Sequence, residues 1–118
     1  MDIETLVDTY GAAWSAPDDE TRSRLLHAAW ADDGRYQDPN SDVQGRDALD
    51  AHIAGFQSRF PGARIERVGA AANHHGAILF RWRIVARDGT ALLSGQDYAE
   101  LDGNGRITKI VGFFDTPT

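Results

Sequence analysis

Apolar residues at the start of the chain fall three and four apart: Ile3, Leu6, Val7, Tyr10, Ala13 and Trp14. That spacing stacks them on one stripe of a helix and predicts a first helix facing a core, with Asp2 as its N-cap. Ala16-Pro17 ends it, and Asp18 or Asp19 caps a second helix whose stripe is Leu25, Leu26, Ala29 and Trp30 and whose stop is Asp33-Gly34. A short strand, Arg35 to Asp38, runs into the turn formers Pro39-Asn40-Ser41-Asp42. A third helix follows from about Arg46 to Phe60, with Leu49, His52, Ile53, Phe56 and Phe60 along one face and Pro61-Gly62 as its stop. From Ala63 onward the period changes from helical to two, and turn signals recur at Asn73 to Gly76, Asp88-Gly89 and Asp102 to Gly105. The pattern predicts four further strands in a meander, with the three helices covering one face of the sheet in an α+β arrangement.

Alternation assigns faces. Ile78, Phe80, Trp82 and Ile84 share a parity while Arg81 and Arg83 take the other, so Phe80 and Trp82 are expected inside. In the next strand Asp97 is in phase with Leu93, Gly95, Ala99 and Leu101. A carboxylate on the apolar side needs a reason, because an unpaired buried charge costs several kcal/mol or takes up a proton. Two structural readings compete with a functional one: a bulge near Gly95 that turns Asp97 outward, or an arginine paired with it. Asp38 shares parity with Tyr36 and can also point inward, although an Asp ahead of Pro-Asn-Ser is an ordinary turn residue. Tyr10 lies on the core stripe of the first helix, where packing is the commoner role of a tyrosine; a buried phenol still needs a hydrogen-bond partner. His52, one turn before Phe56, either lines a cavity or is a satisfied core histidine, whereas His74-His75 belongs to a solvated turn.

The 118 residues leave room for one domain, spanning 1–118, and a hydrophobic share of 42% with 25% charged residues is ordinary globular usage. Twelve Lys and Arg against 18 Asp and Glu give a net charge of −6 without a basic run, so nucleic acid and anionic membranes are not expected partners. Cysteine is absent, which removes disulfides, thiolate nucleophiles and Cys-ligated metals. No signal-peptide pattern and no apolar run of spanning length occurs, and a soluble cytoplasmic protein is the expectation. HExxH, GxSxG, Walker A and GxGxxG patterns are missing, so metalloprotease, serine hydrolase, nucleotide and dinucleotide readings lack their motifs.

The order of helices and strands, with Ala31-Asp32-Asp33-Gly34-Arg35-Tyr36-Gln37-Asp38-Pro39 ahead of the third helix and Gly95 to Ile107 near the end, resembles the nuclear transport factor 2-like superfamily. Within it, the SnoaL-like and ketosteroid isomerase-like proteins are the nearest in kind. The resemblance covers essentially the whole chain and implies a cone-shaped α+β fold, in which three N-terminal helices pack on a strongly curved, mainly antiparallel sheet around an apolar pocket. Ketosteroid isomerase uses an Asp base with a Tyr and a protonated Asp as oxyanion hole. By this resemblance Asp38 in the Asp-Pro step is the base, and Tyr10, in Tyr10-Gly11-Ala12-Ala13, and Asp97, ahead of Tyr98 and the Gly103-Asn104-Gly105 hairpin, are the donors.

The resemblance thus implies a cofactor-free, metal-free enzyme moving a proton next to the carbonyl of a small apolar molecule. Trp14, Trp30, His52, Phe56, Phe80 and Trp82 are expected to bind that molecule. A SnoaL-like polyketide cyclase using Asp97 with His52, and a non-catalytic small-molecule binding domain, are the alternatives. Two-Asp epoxide hydrolases are disfavoured because neither Arg81 nor Arg83 has an Asp two residues away. A homodimer is expected through the outer sheet face, where Leu79, Val85, Leu92 and Tyr98 alternate with Arg81, Arg83 and Gln96.

Overall fold

The computed structural model describes residues 1–115. Helix α1 (Ile3–Trp14) begins where Asp2 accepts a 2.7 Å hydrogen bond from the Thr5 amide, and it buries Leu6, Val7, Tyr10, Ala13 and Trp14. Helix α2 (Asp19–Ala29) is capped in the same way by Asp18, whose side chain accepts from the Thr21 amide. It stops at Ala29, short of the expected stop at Asp33-Gly34. Trp30 already has extended backbone (φ −111, ψ 132) and opens strand β1 (Trp30–Asp38). The apolar spacing that carried Trp30 into the helix stripe is overridden by a distant partner: Trp30 pairs with Ile107, and the Arg46 guanidinium donates to its carbonyl at 2.7 Å.

Strand β2 (Ser41–Gln44) follows a tight turn and pairs antiparallel with β1; the sequence analysis had read this segment as turn alone. Helix α3 (Arg46–Arg59) buries Leu49, Ile53 and Phe56. Strands β3 (Arg64–His74), β4 (Ala77–Val85), β5 (Ala91–Leu101) and β6 (Ile107–Phe114) form the expected antiparallel meander. The six-stranded sheet has the order β2-β1-β6-β5-β4-β3, and β1 runs parallel to β6. The result is three helices packed on a curled, mostly antiparallel open sheet, an α+β fold as expected. No helix among the described residues is long and apolar enough to cross a membrane.

Two ion-pair clusters tie the helices down. Arg67 on β3 reaches Asp8 and Glu4 of α1, each at 2.8 Å. Arg22, almost fully buried, bridges Asp19 of its own helix and Asp50 of α3. The outer face differs from expectation at the open end of β4 and β5. Ile84 pairs with Leu93 but Val85 pairs with Ala91, so the register shifts at Leu92. Val85, expected exposed on the outer face, is buried, and Leu92 borders the interior cavity.

Candidate functional site

The concave face of the sheet is set by alternation across three adjacent strands. Phe80 on β4 lies opposite Asp97 on β5, and Asp97 lies opposite Gly112 on β6. Asp38, at the end of β1, flanks Gly112 on the other side. A Cβ placed on Gly112 would lie 2.9 Å from Asp97 Oδ1 and 3.6 Å from Asp38 Cβ. The missing side chain therefore leaves two carboxyl-bearing residues on either side of a bare stretch of backbone. Gly112 was not singled out from the sequence, although a glycine inside a strand is itself a signal of close approach.

Asp97 is 6% exposed and points inward, as its phase indicates. The bulge that might have turned it outward lies at Leu92, and pairing is regular from Leu93 to Glu100. Its partner is no arginine: Trp82 Nε1 donates to Asp97 Oδ1 at 2.9 Å. Gly95 makes this contact possible. A Cβ on Gly95 would lie 2.7 Å from Trp82 Cζ2, so the indole lies across β5 only because that residue has no side chain. Burial pushes the Asp97 carboxyl up to about 7, opposed by the Trp82 hydrogen bond and reinforced by the charge of Asp38. Near neutrality Asp97 is populated as the neutral acid.

Asp38 is half-buried, and each of its oxygens accepts one hydrogen bond: Oδ2 from the Tyr36 hydroxyl at 2.6 Å and Oδ1 from the Asn40 amide at 2.8 Å. The Asx turn expected at Asp-Pro-Asn is thus present, and the same residue faces the interior. Tyr36 was noted in the sequence only for sharing parity with Asp38. Its phenol is pushed well above the ordinary tyrosine range by burial first, then by the neighbouring Tyr10 and Asp38, and it remains a donor. Tyr10 is 3% exposed and stacks on Trp30 at 5.7 Å between ring centroids. Its phenol is raised too, by burial and then by the charge of Asp97. Trp14 Nε1 lies near that phenol but outside hydrogen-bond geometry and has no partner among the described residues. Among the described residues the Tyr10 hydroxyl and Asp97 Oδ2 have no protein hydrogen-bond partner, and both residues line the cavity described next.

That cavity, of about 830 Å³, opens between α1, α3 and the concave face. Tyr10, Asp38 and Asp97 line it, as do Trp14, His52, Phe56, Phe80 and Trp82. Trp30 does not, and its expected place in the pocket is corrected. It is fully buried behind Tyr10, with its indole packed where a Cβ on Gly34 would lie only 2.5 Å from Nε1. His52 sits among aromatic rings, 5.8 Å from Trp14 edge-on and 5.5 Å from Tyr36. Among the described residues no group of three or more His, Asp or Glu side chains is arranged to hold a metal ion. Chemically, the sheet end of the cavity offers two proton donors, Tyr10 and Asp97, and one half-buried carboxylate, Asp38, among largely apolar walls.

The model of the SnoaL-like domain family matches residues 7–110. The chain belongs to that family. A solved relative from Agrobacterium tumefaciens, described as a "putative isomerase of the SnoaL-like family", is 36% identical over 96% of this chain and 97% of its own, with a TM-score of 0.90. This SnoaL-like chain also shares its fold with a "putative polyketide cyclase" from Sinorhizobium meliloti (19% identity, 95% and 96% of the two chains, TM-score 0.73). A protein with a ketosteroid isomerase-like fold from Catenulispora acidiphila, in complex with trimethylamine, matches at 15% identity over 93% and 85%, with a TM-score of 0.75. No curated protein matches the chain.

Proposed function

We propose that this SnoaL-like protein is an isomerase-type enzyme that moves a proton next to the carbonyl of a small, largely apolar substrate. The observation that carries the reading is a carboxylic acid, Asp97, with no cationic partner, facing the same cavity as Tyr10 and standing across Gly112 from Asp38. In the reaction Asp38 takes a proton from the carbon beside the carbonyl. The C–H electron pair becomes the new C=C bond, and the C=O π pair moves onto oxygen. Tyr10 and neutral Asp97 donate hydrogen bonds to that oxygen, where charge develops; fixed donors in an apolar site stabilise it more than water does. Where the substrate carries a C=C bond beside that carbon, the intermediate is a dienolate, and Asp38 returns the proton to its far carbon as the oxygen pair re-forms the C=O bond and the C=C bond moves into conjugation with it. Tyr36 and the Asn40 amide hold the Asp38 carboxylate in place.

Asp38→Asn tests this directly. Deuterium uptake from solvent into simple cyclic enones should fall by ~100 to 10,000-fold, the usual contribution of a positioned base. Binding of phenol, which mimics the enol, should be unchanged. Equal uptake by the two proteins removes Asp38 from the mechanism, and uptake by neither leaves a binding domain. The cyclase alternative keeps one specific support, that His52 and Asp97 line the same cavity. An aldol ring closure that survives Asp38→Asn but not His52→Gln would favour it.

A further inference from the structure

The charged groups of the cavity are divided by sign. Asp38 and Asp97 stand at the sheet end beside Tyr10, while Arg59, Arg64 and Arg67 border the cavity from the last turn of α3 and the first half of β3, with one further carboxylate, Asp8 of α1, held by Arg67. These three arginines are not equally free. Arg67 is engaged by both Asp8 and Glu4. Among the described residues Arg64 has one carboxylate partner, Glu66, and shares it with Arg83: the distances are 3.2 Å to Arg64 and 2.8 Å to Arg83, so one negative charge serves two guanidinium groups. Arg59 makes no ion pair among the described residues and lies 6.0 Å over the ring of Phe60. Its place at a helix C-terminus suits the helix dipole, and among the described residues none of its five N–H donors is spent. The rim around α3 and β3 is therefore locally cationic on a chain whose net charge is −6. Exposed Phe60 and Leu92 border the same cavity, so an occupant passes apolar surface and an unpaired guanidinium on its way in.

We infer that the substrate carries an anionic group, most simply a carboxylate, at the end opposite its carbonyl, and that Arg59, assisted by Arg64, receives it at the rim. This deepens the proton-transfer reading and rests on it for the position of the carbonyl. Orientation follows from charge alone. An anion cannot settle beside Asp38 and Asp97, so a carboxylate at the rim places the opposite, neutral end against Tyr10 and Asp97. Arg59 and Arg64 are specificity residues on this account and take no part in proton transfer.

The test is a matched series of ligands that needs no turnover. Affinities of 2-(4-hydroxyphenyl)acetate, 3-(4-hydroxyphenyl)propanoate and 4-(4-hydroxyphenyl)butanoate are compared by calorimetry with those of the alkylphenols of equal length. At least one acid should bind about threefold to tenfold tighter than its neutral partner, as expected of a charge-assisted contact at a solvated rim. The gain should shrink at high ionic strength and disappear in Arg59→Gln, with Arg64→Gln reducing it, while neutral phenols bind all three proteins equally. Because the protein is net negative, non-specific attraction works against the acids and cannot produce the gain. Acids that bind no tighter than neutral phenols at any length overturn the inference and leave the proton-transfer reading intact. A gain that survives Arg59→Gln overturns the assignment of that residue. Failure of the Asp38→Asn exchange experiment with the acid preference retained would instead make the site a binder of amphipathic acids, so the two failures are distinguishable.

Discussion

The two faces of the sheet are made from the same strands and treat a carboxylate in opposite ways. On the convex face Asp115 accepts from Arg81 at 2.6 Å and from the Ser94 hydroxyl at 2.7 Å, and Glu66 accepts from Arg83 at 2.8 Å. Both carboxyls are held below their ordinary range, Asp115 chiefly by Ser94 and Glu66 chiefly by Arg83. On the concave face Asp97 has an indole N–H and no cation, and burial drives it upward to about 7. Residue type does not decide between a charged surface ligand and a neutral acid. Strand parity does, because it determines whether water and guanidinium groups are within reach. Acidity at Asp97 is thus a property of the face.

Titration gives the sharpest separation. The folded Asp97 titrates near 7 against an ordinary 3.8, so between those values the folded protein holds a proton that the unfolded chain has lost. Its contribution to stability is complete below about pH 4 and falls as pH rises through the window, by about 4 kcal/mol when each pH unit is worth about 1.4 kcal/mol. Convex carboxylates, lowered on folding, have the opposite sign: their contribution is lost as pH falls toward and below their own range. Urea unfolding between pH 4 and 8 should show a declining limb in the wild type that Asp97→Asn flattens. Parallel curves for the two proteins would place Asp97 in solvent and abolish the distinction between the faces.

Gly112→Ala attacks the concave face without touching charge. The added methyl would sit 2.9 Å from Asp97 Oδ1, closer than side chains normally approach, so the carboxyl or the strand has to move. A loss of about 1–3 kcal/mol is expected from such overpacking, with a shifted Trp82 indole resonance as the donor at Oδ1 is displaced. Gly55→Ala is the control. It lies in α3 with open space around its Cβ position, and the same change there should stabilise by about 0.5–1 kcal/mol.

Much of this was legible in the chain because the information is local. Asp2 and Asp18 as caps, the stripe of α1, the span of α3 and the inward phase of Asp97 all follow from spacing within a dozen residues. What was missed depends on partners far along the chain. Trp30 continues a helical stripe by spacing yet is extended, because β6 pairs with it more than seventy residues later. Strand β2 contains one apolar residue, Val43, and exists because β1 supplies its ladder. Val85 keeps the outward parity of Arg81 and Arg83 yet is buried, and Leu92 is the extra residue of β5 at a register shift that only the β4–β5 pairing reveals. At the site, Asp38 and Tyr10 could be nominated singly. Their relation to Gly112, and the Trp82 donor that replaced the expected bulge or arginine, required the sheet.

Arg81→Gln is the smallest of the changes and the most exacting check on the contrast. Arg81 and Asp115 are each close to half exposed, at 47% and 43%, where an ion pair gains little because water solvates both charges well. The unfolding midpoint should move less than for Gly112→Ala, and added salt, which shortens the reach of charge to about 3 Å at 1 M, should remove what difference remains. Asp115 should nevertheless stay below its ordinary range in the variant, since the Ser94 hydroxyl, the largest single cause of its depression, remains. Carboxyl titration by NMR reads both aspartates in one experiment. Asp115 should rise modestly while Asp97, on the opposite face of the same strand pair, keeps its elevated midpoint. A matching movement at Asp97 would mean that charge on the convex face reaches through the sheet, and the neutral acid in the cavity would then owe its state to more than burial.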